Sequence, residues 1–210
     1  MISIITIVLI SYVLGSIPTS IIAGKLLKGI DIRQHGSGNA GAANVFRVLG
    51  WKAGVGVGLF DLLKGLAATV LVSGITFDKI PVNHSFVQIL AGMSAVIGHI
   101  WTVFAGFKGG KGVLTAAGMF LGLAPITTLV CFAVWGVIFY TTRYVSLSSI
   151  TAALLFGAIM TIRKILFFDS VETPLFIFSV IVSLLVLYTH RSNVKRLIKG
   201  TENRFERKKH

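Results

Sequence analysis

Apolar residues run along this chain in blocks too long for the helices of a soluble core, separated by short polar segments. A helix that crosses a bilayer needs about 20 mostly apolar residues. Residues 1–24, 53–77 and 84–107 meet that length, the second with Asp61 and Lys64 inside it. Residues 145–162 and 173–189 are shorter but sufficient. The segment 112–142 is different: 31 residues without a charge, with Pro125 near the middle. As one helix it would be about 46 Å long, against a hydrocarbon core of about 30 Å. As two helices broken at the proline, its first half is short for a span.

Charge decides between the two readings. With a break at Pro125 there are seven spans, and an outside N-terminus places 16 Lys and Arg on the inner side against three outside (Lys79, Arg163, Lys164). Merging the run into one span flips everything after it, giving 9 inside against 10 outside and the basic tail on the wrong face. Basic residues concentrate on the cytoplasmic side. The pattern therefore predicts an all-α polytopic membrane protein with seven transmembrane helices, the N-terminus outside, the C-terminus cytoplasmic and the fourth helix short. A partial span is tolerated where neighbouring helices cover it. The expectation is one domain over 1–210 with a basic cytoplasmic tail from about 190. Residues 1–24 lack the basic start of a cleavable signal and read as a retained span.

Composition agrees: 54% of residues are hydrophobic, the mean hydropathy is +0.86, and 13% are charged, where a soluble domain carries about 25%. The 20 Lys and Arg against 7 Asp and Glu are strung between apolar runs rather than massed on a soluble face, which argues against nucleic acid. Cys131 lies alone in an apolar run, which excludes disulfides and thiolate metal sites within one chain.

Four polar segments fall on the predicted cytoplasmic face. In the first, His35-Gly36-Ser37-Gly38-Asn39-Ala40-Gly41-Ala42-Ala43-Asn44-Val45-Phe46-Arg47, small residues let backbone N–H groups approach an anion. Ser37, Asn39 and Asn44 add neutral donors, and Arg47 a bidentate cation. A flexible, capped loop would use the same small residues; Arg47, six residues after Gly41, favours a site. The second, Gly98-His99 through Phe107-Lys108-Gly109-Gly110-Lys111-Gly112, invites comparison with a P-loop and fails it. Ala105 stands where that motif needs its first glycine, and Gly112 where it needs Ser or Thr. Two lysines among four glycines at a membrane boundary still resemble an oxyanion cradle without the nucleotide machinery. A simple positive-inside anchor would not place four glycines at a helix boundary.

The third segment, Arg143-Tyr144-Val145-Ser146-Leu147-Ser148-Ser149, could supply little more than a helix N-cap. In the fourth, His190-Arg191-Ser192-Asn193 and onward, His190 and Asn193 share a face if the last helix continues through them. The remaining basic residues there read as an anchor for anionic lipid. Asp61 and Lys64, at i and i+3 inside a span, are either functional or mutually neutralising near a helix end, and are kept outside the site. His35, His84, His99 and His190 lack metal-site spacing. The His-x4-Asp pair of many glycerolipid acyltransferases is absent, since the chain has Phe104 beyond His99 where an acid would stand.

Together these segments resemble the membrane-integral, acyl-phosphate-dependent glycerol-3-phosphate acyltransferases of bacteria. The resemblance covers nearly the whole chain: Gly15-Ser16-Ile17-Pro18, Gly36-Ser37-Gly38-Asn39 through Arg47, Gly98-His99 through Gly112, and His190-x-x-Asn193-x-x-Arg196-Leu197-x-x-Gly200-x-Glu202. It implies a multi-pass protein of the bacterial cytoplasmic (inner) membrane with its active site on the cytoplasmic face. It also implies a fatty acyl phosphate as donor and glycerol 3-phosphate as acceptor, with 1-acyl-glycerol 3-phosphate (lysophosphatidate) and phosphate as products, the first step of phospholipid biosynthesis. By the resemblance, Ser37, Gly38, Asn39, Gly41, Asn44, Gly109, Gly110 and Gly112 hold the acyl phosphate. Arg47, Lys111, Ser149, His190 and Asn193 are the catalytic and acceptor-holding residues. Ala43 stands where a threonine is usual, and Thr102 where a proline is usual.

An acyl phosphate is a mixed anhydride, so direct attack by the acceptor hydroxyl needs no acyl-enzyme, metal or cofactor. The partners expected are the two substrates and membrane lipid, with no nucleic acid and no obligate protein partner. Two rivals use the same loops: an anion or organophosphate transporter, and a non-catalytic lipid-binding scaffold. The transporter should line a transmembrane path with polar residues, yet only Asp61 and Lys64 are charged deep in a span. The scaffold leaves Gly109-Gly110-Lys111-Gly112 without a purpose.

Overall fold

The computed structural model describes residues 1–167 and 171–205; Arg207, Lys208 and Lys209 of the basic tail lie outside the described residues. Among the described residues the fold is all-helical, with ten α-helices and three short 3₁₀ turns. The chain forms two compact units, Met1–Leu123 and Ala124–His210. Their boundary is the break foreseen in the long uncharged run.

The first unit holds α1 (Ile2–Ser16), α2 (Thr19–Lys28), α3 (Ala42–Leu49), α4 (Trp51–Val70), α5 (His84–Ile100) and α6 (Val113–Leu123). The first apolar block was expected to be one helix over 1–24; instead it breaks between α1 and α2. Pro18 has no N–H and forces Ile17 out of the α region, to ψ 113. Beyond the break α2 runs on to Lys28 and stops at Gly29, whose φ of +66 forms a left-handed cap. Packing is close where glycines face backbone. A Cβ at Gly15 or Gly98 would overlap the facing helix in the α1–α5 pair, and one at Gly65 or Gly118 would do so in the α4–α6 pair. Small residues that let backbones touch are how helices associate in lipid, where burial of apolar surface gives no drive. Asp61 and Lys64 sit midway along α4, not near its end.

The second unit holds α7 (Pro125–Thr142), α8 (Val145–Leu166), α9 (Thr173–Thr189) and α10 (Arg191–Ile198). Pro125 opens α7 at its first turn, where a missing N–H costs nothing. Ser183 Oγ on α9 donates to Ala153 O on α8 at 2.7 Å. The tail folds back on the α7–α8 corner, where Phe205 N donates to Arg143 O at 3.0 Å and Arg204 Nε to Thr142 O at 3.1 Å. The last helix does not continue through His190. Its axis bends by 58° between α9 and α10, and His190 caps both, its N–H shared between the Val186 and Leu187 carbonyls and its Nδ1 also on Val186 O.

Polarity is distributed as the bilayer requires. Serines such as Ser3, Ser11, Ser16 and Ser179 are wholly buried, while Leu9, Leu129, Val137 and Leu184 lie more than half exposed. A water-soluble fold reverses that pattern. Among the described residues five helical stretches are long and apolar enough to cross a membrane: Ile2–Lys28, Trp51–Gly74, His84–Ala105, Pro125–Thr142 and Val145–Leu166. The bent pair α9 and α10 makes a sixth if taken as one span, and α6 is a shorter apolar helix of 11 residues.

Candidate active site

The loop from Gly29 to Gly41 is shaped by two polar side chains. Asp31 caps the 3₁₀ turn Ile32–Gln34 by accepting from Arg33 N, and its carboxylate also accepts from Arg33 Nε and, at 2.7 Å, from Nη2. Those hydrogen bonds from Arg33 hold the Asp31 carboxyl down at about 2. The remaining arm, Arg33 Nη1, donates to Ala105 O at 3.0 Å and ties this loop to the second glycine-rich segment. Asn44, 1% exposed, works from inside: Oδ1 accepts from Ser37 N at 2.8 Å, and Nδ2 donates to Ile32 O and His35 O, each at 2.9 Å. Gly36 turns with φ +61 directly over that amide, where a Cβ would overlap Oδ1. Asn44 thus spends its side chain on the loop's own shape. Ser37 and Asn39 are half-buried, Gly38 is exposed with φ +73, and Gly41 is the N-cap of α3. Ala43 occupies the first turn of α3, and Arg47 follows Asn44 by one turn, half-buried.

The second glycine-rich segment lies against the end of α5. Gly109 N donates to Ile100 O at 3.0 Å, and Gly110 N to His99 O at 3.1 Å. These two N–H groups are therefore committed to the chain itself. Gly110 is pinned from both sides, because a Cβ there would overlap His99 Nε2 and lie 2.7 Å from Ala40 O. The two glycine-rich loops thus meet at Ala40 and Gly110. Gly106, Phe107 and Gly112 all take positive φ, so the segment doubles back before α6 opens at Val113. Lys111 sits at that turn, half-buried. The departure at Thr102 is accommodated: its φ of −69 lies in the range proline would impose, and its buried hydroxyl donates to Ser16 O. The first turns of α3 and α6 carry backbone N–H groups without intrahelical partners and the positive end of the helix dipole.

In the second unit the organising group is Glu202, whose side chain is 4% exposed. It accepts from Ser146 Oγ at 2.8 Å, Asn193 Nδ2 at 2.6 Å and Arg196 Nε at 2.7 Å. Burial alone would raise its pKa, but the three donors outweigh burial and hold the carboxyl below its ordinary value. Ser149 lies one turn beyond Ser146 on α8 and accepts from Trp135 Nε1 at 3.1 Å. His190 and Asn193 are both buried. The contact between His190 Nδ1 and Val186 O, at 2.8 Å, fixes the proton on Nδ1 and leaves Nε2 as the basic nitrogen of the neutral ring. Arg196, read from sequence as a lipid anchor, is committed to Glu202 instead.

The structure thus divides the predicted site residues into two groups. Ser37, Gly38, Asn39, Gly41, Asn44, Arg47, Gly109, Gly110, Lys111 and Gly112 belong to the first unit, and Ser149, His190 and Asn193 to the second. Glu202, Ser146, Arg33 and Trp135 were not foreseen as parts of either group. Glu202 had one signal, its place at the end of the motif that begins at His190. The polar loops of the first unit suit a phosphate anion, and the buried His190 with a basic Nε2 suits proton transfer.

The profile of the glycerol-3-phosphate acyltransferase family matches residues 5–200. A glycerol-3-phosphate acyltransferase of Chlorobium phaeobacteroides is 50% identical over 235 aligned residues, covering 100% of both chains. Another from Chlorobaculum parvum is 51% identical over 227, covering 97% of each. Among solved structures, PlsY (YgiH), an integral membrane glycerol 3-phosphate acyltransferase in its glycerol 3-phosphate form, superposes with a TM-score of 0.83 at 40% identity, covering 97% of this chain and 96% of that one. Its lysophosphatidic acid form gives 0.81 at 39% identity, with the same coverage. Matched along nearly its whole length in sequence and in fold, and built of helices with buried serines and exposed leucines, this chain belongs to the glycerol-3-phosphate acyltransferase family.

Proposed function

We propose that this membrane acyltransferase moves a fatty acyl group from acyl phosphate to the primary hydroxyl of glycerol 3-phosphate, by direct attack. The hydroxyl oxygen bonds to the acyl carbon, the bond from that carbon to the phosphate oxygen breaks, and phosphate leaves with the electron pair. The products are 1-acyl-glycerol 3-phosphate and inorganic phosphate. Because the donor is already an anhydride, the step needs neither a covalent acyl-enzyme nor a cofactor. The observation that carries this reading is the meeting of the two glycine-rich loops at Ala40 and Gly110, with a helix opening directly behind each loop.

In this reading Ser37, Asn39, Gly41 and the first turn of α3 hold the donor phosphate, with Gly112 and the first turn of α6. Gly38, Asn44, Gly109 and Gly110 contribute by fixing the loops' shape, since Gly38 N donates to His35 O and the polar groups of the other three are likewise engaged within the chain. Lys111 and Arg47 offset phosphate charge and stabilise the developing oxyanion. Ser149, His190 and Asn193 serve the acceptor. The proton released by the hydroxyl has two acceptors, His190 Nε2 and an oxygen of the departing phosphate.

The same reading carries seven spans with the N-terminus outside and the tail in the cytoplasm, α6 being the short fourth span. It places the active site on the cytoplasmic face of the bacterial inner membrane. The distribution of Lys and Arg supports that orientation. A transporter is disfavoured because Asp61 and Lys64, the charged pair deep in a helix, neutralise each other at 2.9 Å rather than line a path.

The test is purified protein in detergent with acyl phosphate and labelled glycerol 3-phosphate, following lysophosphatidate and phosphate release. Acyl-CoA and acyl carrier protein donors run alongside. Stoichiometric ester and phosphate from acyl phosphate is the expected result; ester from a thioester donor alone overturns the donor assignment.

A further inference from the structure

Beneath the meeting point of the two glycine-rich loops lies a buried polar cluster that takes no part in the acyl transfer. Asp61 on α4 is 2% exposed, Lys64 is 3% and His99 on α5 is 8%. One oxygen, Asp61 Oδ1, gathers contacts from three helices: Lys64 Nζ at 2.9 Å, Thr19 Oγ1 donating at 2.8 Å, and His99 Nδ1 at 3.5 Å. Lys64 Nζ donates a further bond, at 3.2 Å, to Ile17 O, one of the carbonyls released by the α1–α2 break. The cluster therefore anchors the break, α4 and α5 to one another.

His99 carries that anchorage to the loops. Its ring is held on the Nδ1 side by Asp61, and its Nε2 faces Gly110, so closely that no side chain could stand there. Its carbonyl accepts from Gly110 N. A small pocket with room for about one water molecule is lined by Thr19, Ala40, His99 and Gly110. Residues from both phosphate-holding loops thus touch the space into which His99 points. The ring fixes where Gly109 and Gly110 lie, and through Gly110 where Ala40 lies.

We infer that Asp61, Lys64 and His99 form a buried charged support for the two loops, with His99 a positioning residue that sets their grip on a substrate phosphate. Asp61 orients the imidazole and Lys64 balances the carboxylate, so the ring presents one fixed face to Gly110. The inference rests on the reading that these loops hold the phosphate of the acyl donor. A residue acting in this way changes the affinity for that substrate more than the rate of the chemical step.

The experiment compares His99→Gln, the neutral pair replacement Asp61→Asn with Lys64→Met, and Ser37→Ala, measuring KM for each substrate and kcat, with thermal unfolding in detergent as the check on folding. Removing both charges together leaves no lone buried ion, so the double variant carries the test if His99→Gln fails to fold. The expected result for both is a KM for acyl phosphate raised by about 10- to 100-fold, kcat within about threefold, and the KM for glycerol 3-phosphate unchanged. An unchanged donor KM in His99→Gln, where Ser37→Ala raises it, overturns the inference and leaves the donor reading standing. A shift confined to the acceptor KM in all three overturns the donor reading and the inference with it. A fall in kcat at constant KM removes His99 from a positioning role.

Discussion

Replacing Glu202 by glutamine tests how the second unit holds Asn193. The carboxylate receives three donors, from Ser146, Asn193 and Arg196, at 2.8, 2.6 and 2.7 Å. A glutamine keeps one oxygen and turns its other end into a donor. If that oxygen stays with Ser146 and Asn193, the new NH₂ faces Arg196 Nε, donor against donor. Hydrogen bonds to a charged group are worth about 1.5–3 kcal/mol each, and neutral ones about half as much. Arg196 is 35% exposed, so water recovers part of its loss. The net expectation for Glu202→Gln is a loss of about 2–3 kcal/mol of stability, and for Glu202→Ala, which leaves three donors unmatched, about 3–5 kcal/mol.

Thermal unfolding in detergent reads the first effect, and a fall in kcat reads the release of Asn193. Ser146→Ala provides the cross-check: it should cost about 1 kcal/mol in the native background and almost nothing once Glu202 is alanine, because the two share one interaction. The pH dependence has a fixed sign. The donors hold the carboxyl of Glu202 below its ordinary value, so its contribution is complete above about pH 4.3, the unfolded carboxyl's range. It is lost as pH falls through the lower folded value. Glu202→Gln should remove that acid-side loss. An unchanged midpoint and kcat in Glu202→Gln, or full additivity with Ser146→Ala, refutes this account of the tail.

Four further outcomes follow from the same geometry. Lys111→Ala and Arg47→Ala should fold but lose most acylation; near-normal turnover in both purified variants sinks the charge-offsetting role. His190→Ala should lower kcat by about 10²–10⁴-fold if Nε2 takes the proton, whereas a drop of only a few-fold moves that role to the phosphate. Asn44→Ala removes the three hydrogen bonds of a buried amide and should cost about 2–4 kcal/mol, with a raised donor KM; an unshifted unfolding midpoint counts against the loop-shaping role. Gly118→Ala places a Cβ against the Leu62 carbonyl on α4 and should destabilise by about 1–3 kcal/mol, read as lower yield and midpoint, while the KM of correctly folded protein stays constant.

The helices were legible because the bilayer imposes a length on apolar runs, and Pro125 with the charge pattern located the break in the longest one. The break at Pro18 was missed because hydropathy runs unbroken through it, and only the backbone restriction on Ile17 shows there. The candidate loops were legible from composition: glycines beside Arg47 and Lys111 have no purpose in a span. Which polar atoms within them stay available was not legible. Asn44, Gly109 and Gly110 look like ligand donors in sequence, and each turns out to donate within the chain. Local sequence does not reveal which carbonyl a given N–H will meet, because Gly109 and Gly110 pair with a helix end nine and eleven residues back.

With those N–H groups engaged inside the chain, other groups must bind the anion. In a nest of glycines, successive N–H groups point at the ligand, and the side chains around them are secondary. Here the N–H groups of Gly109 and Gly110 face Ile100 and His99, and Ser37 N faces Asn44. The glycines are required for closeness to His99 and Ala40 rather than for donors. The attraction for phosphate then falls to the Ser37 hydroxyl, the Lys111 and Arg47 side chains, and the first turns of α3 and α6, where the opening N–H groups lack the i−4 carbonyl of a continuous helix. Such a site depends on two helix ends and a few side chains held in register by the loops. Its sensitivity should therefore lie in what fixes those ends, Asn44 for α3 and the His99–Gly110 contact for α6, as much as in the groups that touch the substrate.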